Sequence, residues 1–385
     1  MRAARATGLL ALALAGAGVV WIGAGSIRAA RRERAVEASW AESFGPLGEM
    51  TAKSPAHPTN AAAHAIEASA RSLGVELRPH SELPAEDEPG RPEKTAPDDV
   101  RAPLEKWVDH EAAKAEGLPT APPAPVAAYL ASHAATLDAI EKDLLAGPAP
   151  DWAMDVARLY AAPVPNVLGH MQLVRVLVGR AETRAVAKDG RADESLRAAF
   201  ALTGTLRGRP EVASQNVSIA ETRLELGAVR RIPVDPSAWR ERLKTLDPRG
   251  GVLMALRHEA WVEYEASHGL LRAKLTAGPL SGRLAALLGA WRARVEATSY
   301  LDAWRTAIDA AAKSPVSDAE PRFLGEIFQK TLERDGVKKK VAVPNLVELW
   351  RRANVAALEI RKTDDVLAAR RGGALNWAER AGAAH

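Results

Sequence analysis

The stretch 258–268 concentrates the side chains best suited to chemistry in this 385-residue chain. It carries Glu259, Glu263, Glu265 and His268, with Trp261 and Tyr264 between them. Trp261, Tyr264, Glu265 and His268 recur at three- and four-residue steps, which places them on one side of a helix. An aromatic wall beside a carboxylate disfavours its charged form and raises its pKa. That suits it to acid catalysis of the kind glycoside hydrolysis needs. The same spacing also describes an amphipathic core helix with acids at its rim, and this is the expected role.

Metal chemistry finds no complete motif. His258-Glu259-Ala260-Trp261-Val262 comes nearest to the zinc-protease pattern, but Val262 stands where the second histidine ligand belongs. Glu265 and His268 form one Glu-x-x-His pair, and a di-iron bundle requires two. The eight other histidines (57, 64, 80, 110, 133, 170, 258, 385) all lack a glutamate three residues before them. No nucleophile-elbow, Ser-x-x-Lys, P-loop or dinucleotide-binding string is present. With no cysteine, the chain cannot form a disulfide framework, a thiolate zinc site, a haem attachment, an acylated lipobox or a cysteine nucleophile. No metal and no cofactor is expected.

The elements around this stretch begin with a membrane signal. Residues 6–27 are 22 consecutive uncharged residues, with Arg2 and Arg5 before them and Arg28, Arg31, Arg32 and Arg34 after. As a helix they reach about 33 Å, enough to cross the hydrocarbon layer. The predicted role is a retained signal anchor that meets the lipid bilayer through residues 6–27. Cleavage near Gly23-Ala24-Gly25 is the lesser alternative, because the arginine cluster follows too closely. The short N-terminal tail favours a periplasmic position for the bulk of the chain, in the bacterial inner membrane. Two basic residues before the span and four after it argue for the cytoplasm instead.

Behind the span, residues 28–78 read as a juxtamembrane helix followed by a short helix that Asn60 caps and Gly74 closes. Residues 79–103, with six prolines among seven acids, read as a linker. Residues 104–371 read as one all-α domain, an irregular bundle or array of helical hairpins, and 372–385 as a flexible tail. Its helices are predicted near 103–116, 125–146, 166–188, 192–206, 211–231, 236–246, 251–268, 281–312, 318–334 and 344–370, separated by Pro and Gly signals. Val164-Pro165-Asn166 and Val343-Pro344-Asn345 open two of them with the same chemistry: Pro ends the preceding element and Asn can cap free N–H groups. Seven tryptophans at helical positions read as core anchors.

Net charge is −7 over residues 51–150 and +9 over residues 151–385, within a total of +4. Docking of the two parts or plain solubility explains this, and no nucleic-acid partner is expected. In its N-terminal span, Ala/Arg/Leu-rich helices and Pro-Asn-Leu/Val openings, the chain resembles a loose group of N-terminally anchored helical proteins from bacteria with GC-rich genomes. The resemblance implies no activity and carries over no functional residue. The expected function is a non-catalytic scaffold or interaction module of the cell envelope, with a partner in the grooves between helices. The alternative is a membrane-tethered glycan hydrolase on a helical toroid, with Glu259, Glu263 and Glu265 as its carboxylates. A basic domain facing the cytoplasm and binding anionic lipid or nucleic acid is a third reading.

Overall fold

A computed structural model of the chain describes residues 2–79, 98–115, 117–277, 280–337 and 344–371. Among them the fold is all-α, and the one extended pairing is an isolated bridge between His57 and Met154. Most of the expected linker (80–97) and the expected 372–385 tail lie outside the described residues.

Fourteen α-helices follow one another among the described residues: α1 (Arg2–Phe44), α2 (Glu49–Lys53), α3 (Ala61–Ser72), α4 (Asp98–Ala113), α5 (Ala124–Ser132), α6 (Ala134–Ala146), α7 (Val167–Val186), α8 (Ala192–Arg207), α9 (Val212–Val229), α10 (Pro236–Leu243), α11 (Pro248–Ala277), α12 (Leu280–Lys313), α13 (Arg322–Arg334) and α14 (Pro344–Arg371). Local chemistry explains several boundaries. The Asn60 side chain accepts from Ala63 N at 2.8 Å, and Gly74 leaves α3 with φ of +74°. Asn166 caps α7 by accepting from Gly169 N at 3.1 Å.

Helix α11 runs on to Ala277, where the sequence expectation ended it at 268, and two boundaries elsewhere also depart from that expectation. The stretch 125–146 is not one helix but two, broken at His133, where the ring Nδ1 and the Ser132 hydroxyl both turn to the Tyr129 carbonyl. Helix α4 starts at Asp98, so Pro103 lies inside it rather than ending a linker. An internal proline costs a helix about 3 kcal/mol. Here Val100, Leu104, Trp107 and Val108 are all buried along one stripe, and each large apolar side chain gains roughly 1.5–3 kcal/mol on burial, which outweighs the proline.

Two cores form. The first gathers α3 to α10 around α7, whose Leu173, Val174, Val176, Leu177 and Val178 are all buried. Helices α4 and α9 cross closely, and a Cβ added at Gly227 would lie 2.5 Å from Ala112 Cα. Only a residue without a side chain lets those backbones meet. The second core joins α1 to α11, α12, α13 and α14 through Trp40, Leu301, Trp304, Phe328 and Trp350. Helix α14 serves both, burying Trp350 in the second core and Leu367 in the first.

Helix α1 is continuous from Arg2 to Phe44, and its C-terminal part is built into the second core: Trp40 is 1% exposed and stacks edge-on against Phe44 at 4.9 Å. Among the described residues no helix is long and apolar enough to cross a membrane. The expectation of a span at 6–27 therefore rests on the sequence of those residues.

Candidate functional site

The four side chains singled out on α11 separate into two groups. Glu259 and Glu263, one turn apart, face the 3₁₀ turn Val156–Ala161 and the side of α12. There Glu263 Oε2 accepts from Trp304 Nε1 at 2.8 Å. Burial and then the neighbouring Glu263 raise the Glu259 pKa above the usual carboxylate value. Burial also raises the Tyr160 phenol, and both glutamates add to that shift. Leu159, the residue preceding this tyrosine, adopts φ 53° and ψ −122°. A side chain there strains the backbone by about 1–3 kcal/mol.

His268 and Tyr264 turn the other way, towards α1. The Tyr264 hydroxyl donates to Glu37 at 2.8 Å and to Glu33 at 3.2 Å, and His268 Nε2 lies 3.3 Å from Glu33. Arg294 of α12 closes on the same Glu33 carboxylate at 3.2 Å. These bonds seat α1 between α11 and α12. Trp261 is buried against Val156 and Val262 rather than against Glu265. Glu265 is half-buried and joins neither group.

Sequence reading missed a second set of acids, buried in the first core. Glu182 of α7 and Glu221 and Glu225 of α9 are almost wholly shielded from solvent. Glu182 has no hydrogen-bond partner on either oxygen. Its nearest cation, Arg231, is 3.9 Å away and is committed elsewhere: it pairs with buried Glu111 and donates to the carbonyls of Glu111, Gly117 and Leu118. Burial pushes the Glu182 pKa up to about 8, with Arg231 opposing. Glu111, though also buried, is held down to about 2 by hydrogen bonds from Lys114, Thr120 and Arg231. Glu225 rises to about 7 on burial, opposed by Arg207 and Thr203, and burial followed by repulsion from Glu225 raises Glu221. His170, wholly enclosed beside Trp152, is driven down to about 3 by burial and then by Arg209.

Two clefts open near these acids. One of about 400 Å³ lies between α4, α7, α9 and α14, and Arg175, Arg223, Arg230, Lys362, Asp109 and Glu359 supply its charged lining. The Nε of Arg230 is buried there without a partner, although the rest of its guanidinium meets Glu359 at 2.7 Å and Thr363 at 2.9 Å. A second, of about 300 Å³, is bounded by Arg207, Gln215, Ser218, Thr222, Thr245 and Asp247. Neither takes in Glu259, Glu263, Glu265 or His268. Among the described residues no three acidic or histidine side chains gather as a metal site would require.

Glu182 gives a testable pH dependence. Its carboxyl is protonated in both folded and unfolded chains below about pH 4.5. Between there and its folded value of about 8 the unfolded chain releases the proton and the folded chain keeps it. Stability therefore falls as pH rises through that window. Glu182→Gln removes this contribution and gains on the parent by ~2 kcal/mol or more between pH 5 and pH 8. Urea unfolding midpoints of both proteins in detergent at the two pH values measure it. A constant difference between the curves would contradict the assignment. No family model, curated protein or solved structure matches this chain, so its residues inherit no roles and the site stands on its own geometry.

Proposed function

We propose that the chain is a single-pass, membrane-anchored helical scaffold of the bacterial cell envelope, without catalytic activity of its own. Residues 6–27 form the anchor, and the bulk of the chain lies on the periplasmic side. The observation that carries this reading is the continuity of α1. The uncharged stretch and the Trp40 anchor belong to one helix, so the anchor is joined to the domain without a hinge. The cleft between α4, α7, α9 and α14 is the partner site. Four cations against two acids suit it to an acidic segment of another protein.

Two experiments test the parts separately. Crosslinking in intact membranes is expected to trap one defined partner, and Arg223→Glu combined with Lys362→Glu to lower its yield about ten-fold. An unchanged yield from the double variant removes the cleft from the proposal. For orientation, the absence of native cysteine allows a single reporter, Asp318→Cys. It is expected to react with a membrane-impermeant maleimide on intact spheroplasts. Labelling only after lysis places the bulk in the cytoplasm, as the arginine count around the span would have it.

One observation favours a second reading, a membrane-tethered glycan hydrolase on a helical toroid: the exposed Tyr160, next to a strained Leu159, lies close enough to Glu259 and Glu263 for both to raise its phenol pKa. On the scaffold reading, the purified protein releases no reducing ends from envelope glycan, and Glu259→Gln and Glu263→Gln leave cells unchanged. Glycan cleavage that either substitution abolishes would establish the hydrolase instead.

A further inference from the structure

The first turn of α11 contains Gly250-Gly251, and a glycine within a helix costs about 1 kcal/mol relative to alanine. What these two do is keep side chains away from two oxygens. A Cβ at Gly250 would overlap Asp247 Oδ2, and one at Gly251 would overlap Gln215 Oε1. Neighbouring Cα atoms are about 3.8 Å apart, so the two acceptors flank one short piece of backbone.

Both acceptors are held in place by their other atoms. Asp247 caps α11: its Oδ1 accepts from Gly250 N at 2.8 Å, and Pro248 follows as the first helical residue. Gln215 of α9 is 2% exposed, and its Nε2 donates to the carbonyls of Leu206, Arg207 and Arg209 at the end of α8. Among the described residues neither Asp247 Oδ2 nor Gln215 Oε1 receives a hydrogen bond. An amide oxygen so enclosed is costly to leave without a donor.

The two residues line the cleft of about 300 Å³ between α8, α9 and the start of α11. Thr222 stands on the same lining, 5% exposed, and its hydroxyl also has no partner among the described residues. Arg207 adds a cation. Its Nη2 donates to Glu225 at 3.1 Å, its guanidinium lies 4.0 Å from the centre of the Phe200 ring, and its Nε has no partner. A planar guanidinium fixed on two sides offers its remaining N–H groups in set directions. Ile219, Leu246 and Met254 form an apolar wall. A concave site with an apolar wall and a few convergent polar groups is the usual form of a small-molecule pocket.

We propose that this cleft binds a free α-amino acid with an apolar side chain. The ammonium meets Asp247 Oδ2 and Gln215 Oε1, the carboxylate meets Arg207 and the Thr222 hydroxyl, and the side chain rests on Ile219, Leu246 and Met254. A ligand with a single charge would leave either Asp247 or Arg207 unanswered. The cleft shares no lining residue with the one between α4, α7, α9 and α14, so this site stands apart from the scaffold reading.

Isothermal titration calorimetry on the full-length protein in detergent is the test. L-leucine and L-methionine are expected to bind with Kd values below about 1 mM. L-leucinamide lacks the carboxylate and N-acetyl-L-leucine lacks the ammonium, and each is expected to bind roughly ten-fold more weakly. Asp247→Asn keeps the capping oxygen and removes the charge, while Thr222→Val keeps the shape and removes the hydroxyl. Each should weaken leucine binding about five-fold. The two substitutions lie in different segments, so a folding defect in one leaves the other as the test. No saturable heat from either amino acid at about 10 mM overturns the proposal. Leucinamide or N-acetyl-leucine binding as tightly as leucine also overturns it, because one charge would then suffice. Leucine binding that survives both substitutions unchanged places the ligand outside this cleft and overturns the assignment.

Discussion

The Glu33 carboxylate fastens α1 to the rest of the chain. The Tyr264 phenol, the His268 ring and the Arg294 guanidinium, from two different helices, all converge on it. Burial raises the Tyr264 pKa, and its hydrogen bonds to Glu37 and Glu33 raise it further, so the phenol remains a donor. Apolar packing at Val36 and Trp40 supplies the larger share of the attachment, because it is proportional to area and has no preferred rotation. The polar fastening supplies what that packing lacks, a fixed rotation and register of α1. If α1 were rotated by one residue, Glu33 would lose its partners and a carboxylate would be left against the hairpin unpaired, a cost of several kcal/mol. The direction in which the N-terminal half of α1 leaves the domain is thereby set.

The first core is held by a different logic. Arg231, Arg180, Arg184 and Arg209 are buried, and each is tied to groups from other segments. Arg184 meets Glu141 at 2.8 Å and Ser195 at 2.6 Å, linking α6, α7 and α8. Arg209 donates to the carbonyls of Trp152, Ala153 and Pro163 and so fixes the irregular 150–164 segment. A guanidinium with several N–H donors in one plane can satisfy loop carbonyls that have no helix to join. Glu182 and Glu221 are acids this network leaves without a hydrogen-bond partner, and Glu225 is met by Arg207 at 3.1 Å; burial raises the pKa of all three.

Much of this was legible in the sequence, and what was not follows a pattern. The all-helical class and the caps at Asn60 and Asn166 follow from local rules, and the structure agrees with them; of the seven tryptophans expected as core anchors at helical positions, Trp291 is half-buried and Trp152 is buried outside any helix. The break at His133 and the helical Pro103 departed from expectation because each depends on a balance: side-chain competition for one carbonyl in the first case, a buried stripe against a lost bond in the second. The acids of α9 gave no signal, since Glu221 and Glu225 at four-residue spacing look like an ordinary solvated face. Their burial comes from α8, which covers them with Thr203 and Arg207. On α11 the spacing grouped Trp261, Tyr264, Glu265 and His268, and the structure divides that group, since Trp261 packs on Val156 and Glu265 joins none of the others. Tyr264 and His268 were claimed by α1, while Glu259 and Glu263 fell to α12 and the 3₁₀ turn.

That division of α11 also bears on what the molecule can do. A catalytic carboxylate pair needs open space between its members for a substrate, and a fastening carboxylate needs partners that fill all such space. Glu33 is of the second kind. Glu263 shares that character through its bond to Trp304, leaving Glu259 as the α11 acid whose raised pKa has no structural partner to account for it. Clefts lie between α4, α7, α9 and α14, where Arg175, Arg223, Arg230 and Lys362 face Asp109 and Glu359, beside α8 and α9, where Arg207 faces Asp247, and along the start of the 3₁₀ turn, where Asp155 and Arg158 line about 500 Å³. The four cations of the first of these outnumber its two acids, and such an excess attracts negative charge.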